Sequence, residues 1–283
     1  EALYMGMKRV RTQYIGQIQD DELVAKLREI PKAICILNTR KHAADIFRQL
    51  QDLPHAIHLS ALMCANHRSD VISRIRAKLQ AGEPCLVVST QLIEAGVDVD
   101  FPVVYRAMAG LDSVAQAAGR CNREGKLDAG AVYLFDPQTP PPVGDQRMAA
   151  DTTKGRILGE FDDLLGLAAI REYFEYHYWK RQNDWDKHEV MKCFAAGKPP
   201  IWNFREAAEK FQMIPAGNLK PVIIPWEKTG QDLCRQIMQC DPDQPLPPDI
   251  YRRVQRLTVQ IREQDWNNLK LSGAVGRYGP GES

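Results

Sequence analysis

Apolar residues in this chain fall into short continuous runs, separated by stretches where they recur every three or four positions. Ala33-Ile34-Cys35-Ile36-Leu37 and Cys85-Leu86-Val87-Val88-Ser89 are unbroken runs. Runs of that length read as strands buried on both faces. Ile57-His58-Leu59, Val103-Val104-Tyr105 and Ala131-Val132-Tyr133-Leu134-Phe135 predict three more strands, and Arg11–Ile18 a further one. Helical spacing lies between them, over Asp20–Glu29, Lys41–Leu50, Arg68–Leu79 and Val114–Arg120. In Lys41–Leu50 the apolar face is Ala44, Phe47 and Leu50; in Arg68–Leu79 it is Val71, Ile72, Ile75 and Leu79. Strands alternating with helices predict an α/β fold with a parallel sheet covered on both faces. Such sheets keep their ligand contacts at the carboxyl ends of the strands, here after Leu37, Leu59, Ser89 and Tyr105.

The texture changes after Phe135. Asp136-Pro137-Gln138-Thr139-Pro140-Pro141-Pro142 can continue neither sheet nor helix and predicts a linker. Ile157, Phe161, Leu164, Leu165 and Ala168 then recur with helical spacing, followed by the aromatic cluster Tyr173, Phe174, Tyr176, Tyr178 and Trp179. That cluster reads as a packing face in preference to a base-stacking platform. Asp186 with Glu189 predicts a capping box opening another helix. From Ile201 a small α+β module is expected: helices near Phe204–Phe211 and Gln231–Met238, strands near Val222–Ile224 and Thr258–Ile261, and a glycine-rich end. The expected division is 1–138, 139–200 and 201–283.

Composition narrows the class. Of 283 residues, 44% are apolar and 26% charged, which fits a globular chain and excludes disorder as the main state. No apolar run approaches the roughly 18 residues of a membrane-spanning helix, so no membrane association is expected. The net charge of +1 carries no global sign of nucleic-acid binding, so any such affinity must be local. Seven scattered cysteines without a C-x-x-C pair read as free thiols in a reducing cytoplasm. No metal-ligand spacing occurs, and His58 and His188 read as structural.

Three segments carry candidate chemistry, each after its own predicted strand. Gln116-Ala117-Ala118-Gly119-Arg120-Cys121-Asn122-Arg123 places two arginines three apart on a short helix, where both guanidiniums can face one anion such as a triphosphate. Gly119 would let another backbone approach. In Ser89 to Phe101, Thr90 can meet a phosphate, Gly96 permits an irregular turn, and Asp98 can accept from a ribose hydroxyl. Leu37-Asn38-Thr39-Arg40 offers polar groups to phosphate oxygens, and Ser60 follows its strand in the same way. Each segment also has a plainer reading, as a solvated basic helix end or as capping. Their concurrence after successive strands favours chemistry. Two absences complete the pattern. There is no G-x-x-x-x-G-K-[ST] loop, and Asp21-Glu22-Leu23-Val24 fails as a D-E-x-[DH] box. Groups that sense a nucleotide without groups that grip its phosphates make half a site, so the sequence is expected to be a piece of a longer chain.

These residues resemble a known family. Residues 10–136 are similar to the second RecA-like lobe of superfamily 2 helicases: Ile36–Arg40 resembles motif IV, Ser89–Phe101 motif V and Gln116–Arg123 motif VI. The wording Ser-Thr-Gln-Leu-Ile-Glu-Ala-Gly-Val-Asp-Val-Asp-Phe, the run Asp112–Arg123 and His58–Cys64 resemble the CRISPR-associated helicase–nuclease of type I systems. Phe204–Phe211 is similar to the start of that family's C-terminal accessory domain. The resemblance implies an ATP-dependent 3′→5′ single-stranded DNA translocase with an HD nuclease domain, recruited by the surveillance complex Cascade to degrade foreign DNA. Arg120 and Arg123 would be arginine fingers. Gln116, Gly119, Gly96 and Asp98 would lie at the ATP, and Asn38, Thr39, Ser60 and Thr90 at the DNA backbone. ATP and Mg2+ would be bound mainly by a first RecA-like lobe absent from this sequence, and nuclease metal ions by the absent HD domain. A phage inhibitor protein is a further candidate partner. The chain alone is expected to be inactive. The competing expectations are a superfamily 2 DNA-repair translocase and a non-catalytic RecA-like docking module.

Overall fold

The structure is a computed structural model describing residues 8–94, 96–194, 202–211, 218–241 and 243–276. Ala95 of the second segment, Ile201 at the expected start of the accessory module, and the glycine-rich end past 276 lie outside the described residues. The chain divides into two units between Phe174 and Glu175.

In the first unit the apolar runs become a six-stranded, all-parallel sheet. Its strands are β1 (Val10–Ile18), β2 (Lys32–Ile36), β3 (Ala56–Leu59), β4 (Cys85–Ser89), β5 (Val103–Ala107) and β6 (Gly130–Pro137), ordered β1-β6-β5-β2-β4-β3. The helices are α1 (Asp20–Arg28), α2 (Arg40–Arg48), α3 (Ala65–Gln80) and α4 (Leu111–Ala118). Side chains alternate across each strand. Ile34, Ile36, Cys85, Val87 and Val104 share one core with Val71 and Ile75 of α3 and Ala117 and Ala118 of α4. Ala33, Cys35, Leu86, Val88, Tyr105 and Ala107 face the other way, onto Leu23, Val24 and Leu27 of α1 and Ala43 and Ile46 of α2. The sheet is therefore sandwiched, as the unbroken apolar runs require.

Register fixes the carboxyl edge. Ile36 lies opposite both Ser89 and Arg106, and Leu59 lies opposite Ser89. The residues that follow these strands, Asn38–Thr39, Ser60 and Thr90, thus emerge at one level on one edge.

Two more helices follow the proline run, α5 (Asp145–Arg156) and α6 (Leu167–Lys180). Ala150, Ile157, Leu164, Ala169 and Tyr173 pack with Met108, Leu111, Val114 and Leu134 in a third core. The helix expected through Ile157–Ala168 is not formed: Ile157–Gly166 is a series of turns. Gly159 takes φ 84°, and the Leu165 amide donates to the Asp163 carboxylate, which closes a local turn instead of a helical one. The apolar spacing there serves packing without a helix.

The second unit holds α7 (Phe204–Lys210), α8 (Glu227–Met238), α9 (Pro248–Gln255) and α10 (Glu263–Leu271), with an antiparallel pair β7 (Leu219–Ile223) and β8 (Thr258–Arg262). Asn203 caps α7, accepting from the Glu206 amide at 3.3 Å. Asp186 caps a short 3-10 turn at Val190–Phe194, not the α-helix expected there; its carboxylate accepts from the Val190 amide at 2.7 Å. Glu189 takes φ 55°, which interrupts an α-helical start.

Two expectations follow. A Cβ on Gly130 would stand 2.5 Å from the Cys121 sulfur, 2.9 Å from the Asn122 Cβ and 3.3 Å from the Pro102 carbonyl. Gly130→Ala should cost about 1–3 kcal/mol by overpacking, read as a lower urea midpoint. Burial raises the Cys35 thiol to about 12, Cys85 to about 11 and Cys121 to about 12, from an ordinary value of 9.0. Above pH 9 the unfolded chain releases these protons while the folded one retains them. Their contribution to stability is complete below pH 9 and is lost as pH climbs towards 11–12. The thermal midpoint should fall between pH 8 and pH 10.

Candidate functional site

Residues expected to carry chemistry fall at two places in the sheet unit. Thr39, Ser60 and Thr90 line the carboxyl edge. Thr39 caps α2, its hydroxyl accepting from the His42 amide at 3.1 Å, and the Ser60 hydroxyl accepts from the Leu62 amide at 3.2 Å. Thr90 opens a 3-10 turn over Gln91–Ile93 and makes no capping bond with its side chain. Asn38 stands apart from the others because its side chain turns inward. Its amide donates to the Met108 carbonyl at 2.9 Å, and its oxygen accepts from Arg106 at 2.8 Å. Both ends of the Asn38 side chain are therefore engaged within the protein.

The second place is the corner after α4. The arginines expected on one helix lie beyond its end, since α4 stops at Ala118 with Gly119 as its C-cap. Phe101 and Cys121 form a parallel bridge, with the Phe101 amide on the Arg120 carbonyl and the Asn122 amide on the Phe101 carbonyl, both at 2.9 Å. Phe101 precedes β5, so this corner sits at the amino end of the sheet. Asn122 takes φ 45° and its side chain bonds the Arg9 and Leu127 carbonyls and the Leu127 amide. This reversal, not an i,i+3 helix face, brings the two guanidiniums together.

The two arginines differ in freedom. Arg120 is half-buried and reaches back to the preceding segment: Nε donates to the Ile93 carbonyl at 3.0 Å and Nη2 to the Glu94 carbonyl at 2.5 Å. Burial lowers its pKa, and the neighbouring Arg123 charge lowers it further. Arg123 is exposed and pairs with the still more exposed Asp98 at 3.1 Å. Its own amide donates to the Asp100 carboxylate at 2.7 Å, and its carbonyl accepts from Arg9. The Arg76 guanidinium donates to the Asp98 carbonyl at 2.9 Å. Gly96 takes φ 73°, the irregular turn its sequence suggested. Gln116 and Gly119 are exposed. A Cβ on Gly119 would meet the Gln116 and Ala115 carbonyls of its own helix.

A buried charged network joins these places. Arg106, on β5 within the sheet, has no solvent exposure. Its Nε lies 2.8 Å from a Glu94 carboxylate oxygen, a contact of charge without hydrogen-bond alignment. Nη1 donates to Asn38 Oδ1 and to the Ala107 carbonyl, both at 2.8 Å, and Nη2 to the Ser113 hydroxyl at 3.3 Å. Ser113 in turn donates to Glu94 at 2.7 Å. Burial raises the Glu94 pKa, opposed by Arg106 and the Ser113 bond; burial lowers that of Arg106, opposed by Glu94.

Sequence reasoning missed Arg106, Ser113, Asp100 and Arg76 and passed over Glu94. One signal was present: Arg106 interrupts the apolar strand Val103–Ala107. Among the described residues no three His, Cys, Asp or Glu side chains gather as a metal ion would need.

Comparison with known proteins bears on the family and the fold. The family described as CRISPR-associated nuclease/helicase Cas3, C-terminal, matches residues 29–126. The chain is 44% identical over 73 residues to the CRISPR-associated nuclease/helicase Cas3 of Haloferax volcanii, covering 25% of this chain and 7% of that protein. In fold it is similar to crystalline T. fusca Cas3 with AMPPNP, at TM-score 0.61 and 13% identity, over 92% of this chain and 36% of that one. A chain of a CRISPR RNA-guided surveillance complex in a pre-nicking state is similar at TM-score 0.57 and 14% identity, over 92% of this chain and 38% of that one. This chain thus spans a small part of its curated relative and little more than a third of the solved ones. Residues 29–126 thus resemble the C-terminal part of the CRISPR-associated nuclease/helicase Cas3 family, and the fold is similar to that of solved Cas3 chains.

Proposed function

We propose that this chain supplies the second RecA-like lobe and accessory region of an ATP-dependent 3′→5′ single-stranded DNA translocase with an associated HD nuclease. Cascade recruits the whole enzyme, in the cytoplasm, to degrade foreign DNA. The observation that carries this reading is the corner after α4. Two guanidiniums and the Asp98 carboxylate share one rim, with no phosphate-gripping loop in the chain.

Such a rim completes a nucleotide cleft whose other wall is the first RecA-like lobe. An exposed ion pair is worth about 0–1 kcal/mol. A triphosphate therefore displaces Asp98 from Arg123 at little cost, and frees Asp98 for a ribose hydroxyl. Arg120, tied to the Ile93 and Glu94 carbonyls, offers its remaining Nη1 donors from a fixed position. In this reading Gln116, Gly119 and Gly96 supply the remaining contacts to the nucleotide. Mg2+, which the first lobe would hold, would supply charge neutralisation at the phosphates. At the carboxyl edge, Thr39, Ser60 and Thr90 follow the DNA backbone, which requires no base reading. Asn38 instead braces this edge from within, its side chain engaged by Met108 and Arg106. Opening and closing of the cleft ratchets the strand.

Two measurements test this. In the full-length protein, Arg120→Ala and Arg123→Ala should each lower DNA-stimulated ATP turnover by about 10³-fold or more, the scale of arginine fingers elsewhere; turnover at the wild-type rate would sink the reading. The isolated 283-residue chain should show no ATP hydrolysis above background.

A further inference from the structure

Glu94 meets the site twice. Its carboxylate is buried, held by the Arg106 guanidinium and the Ser113 hydroxyl. Its main-chain carbonyl accepts from Arg120 Nη2 at 2.5 Å. The side chain thus fixes the peptide group on which the arginine rests. The anchor is rigid for a physical reason. Arg106 has no contact with water, so displacing Glu94 would leave a buried cation without its counter-charge. Arg106 is itself fixed by Asn38 and the Ala107 carbonyl. Ser113 belongs to α4, the helix that leads into Arg120, so the network grips both the segment that supports the arginine and the helix that delivers it.

The geometry points to a positioning role: we infer that the Glu94–Arg106 pair, with Ser113, sets the orientation of the Arg120 guanidinium at the nucleotide rim. This rests on the reading of Arg120 given above. Neither Glu94 nor Arg106 touches nucleotide; both act through the Glu94 carbonyl and α4. Loss of the anchor leaves Arg120 present but free to sample orientations that miss the transferring phosphoryl group, a fault of turnover more than of binding.

The test is a double-mutant cycle in the full-length protein, reading kcat and KM for ATP with single-stranded DNA present. Glu94→Gln keeps the shape and removes the charge. It should lower kcat about tenfold and leave KM within twofold. Arg120→Lys keeps a cation that cannot span the Ile93 and Glu94 carbonyls, and it retains a measurable rate. On that background Glu94→Gln should lower kcat no further. Ser113→Ala, which removes the hydroxyl's bonds to Arg106 and Glu94 and spares the buried pair, should lower kcat about threefold, again only when Arg120 is present; it carries the test should Glu94→Gln fail to fold. Equal losses on both backgrounds, or a loss confined to KM, would overturn the positioning role while the arginine reading stands. Arg120→Lys and Arg120→Ala at the wild-type rate would instead overturn the arginine reading and this inference with it.

Discussion

A guanidinium without solvent contact lies inside a parallel sheet, and the loops of this unit are arranged around that fact. Taking a cation out of water carries a penalty of several kcal/mol unless it is paired and its donors are met. Arg106 meets the condition by drawing on three segments. Asn38 comes from the loop after β2, Glu94 from the segment after β4, and Ser113 from α4. None of the three can move far without exposing an unpaired charge. These are also the segments that carry the motif-like residues, so their relative placement is set by electrostatics within the sheet as well as by packing.

The arginines form a series of decreasing constraint. Arg106 is sealed, Arg120 is half-buried with donors spent on carbonyls, and Arg123 stands at the surface with a weak carboxylate partner. In this gradation the inner charges hold shape, and the outermost keeps a partner it can release at little cost. The corner itself depends on Asn122, whose left-handed backbone and side-chain bonds replace a turn of helix.

Strands buried on both faces announce themselves as unbroken apolar runs, and β2 and β4 were legible for that reason. The segments that open on Asn38 and Thr90 were placed at strand ends for the same reason, since they follow β2 and β4 directly. What failed had physical causes. Apolar spacing from Ile157 to Ala168 imitates a helix, but Gly159 and the Asp163 turn break it. Spacing placed Arg120 and Arg123 on one helix face, whereas the bridge between Phe101 and Cys121 ends that helix first. The Arg106–Glu94 pair was hidden because its members lie on a strand and a loop that only the folded sheet brings together. Asn38 looked like an outward contact for the same reason: nothing local shows that a buried cation claims its oxygen.

Strand β1 pairs only with β6 among the described strands, and the amide of Gly130 closes on the carbonyl of Arg9. A polypeptide leaving the ribosome at about 5–20 residues per second therefore exposes β1 for roughly ten seconds before its mate exists. Throughout that interval the early segment has an unsatisfied backbone ladder and must avoid pairing with strangers. Its sequence, Val-Arg-Thr-Gln-Tyr-Ile-Gly-Gln-Ile, mixes polar residues and a glycine among the apolar ones, which makes it a poor template for aggregation during synthesis.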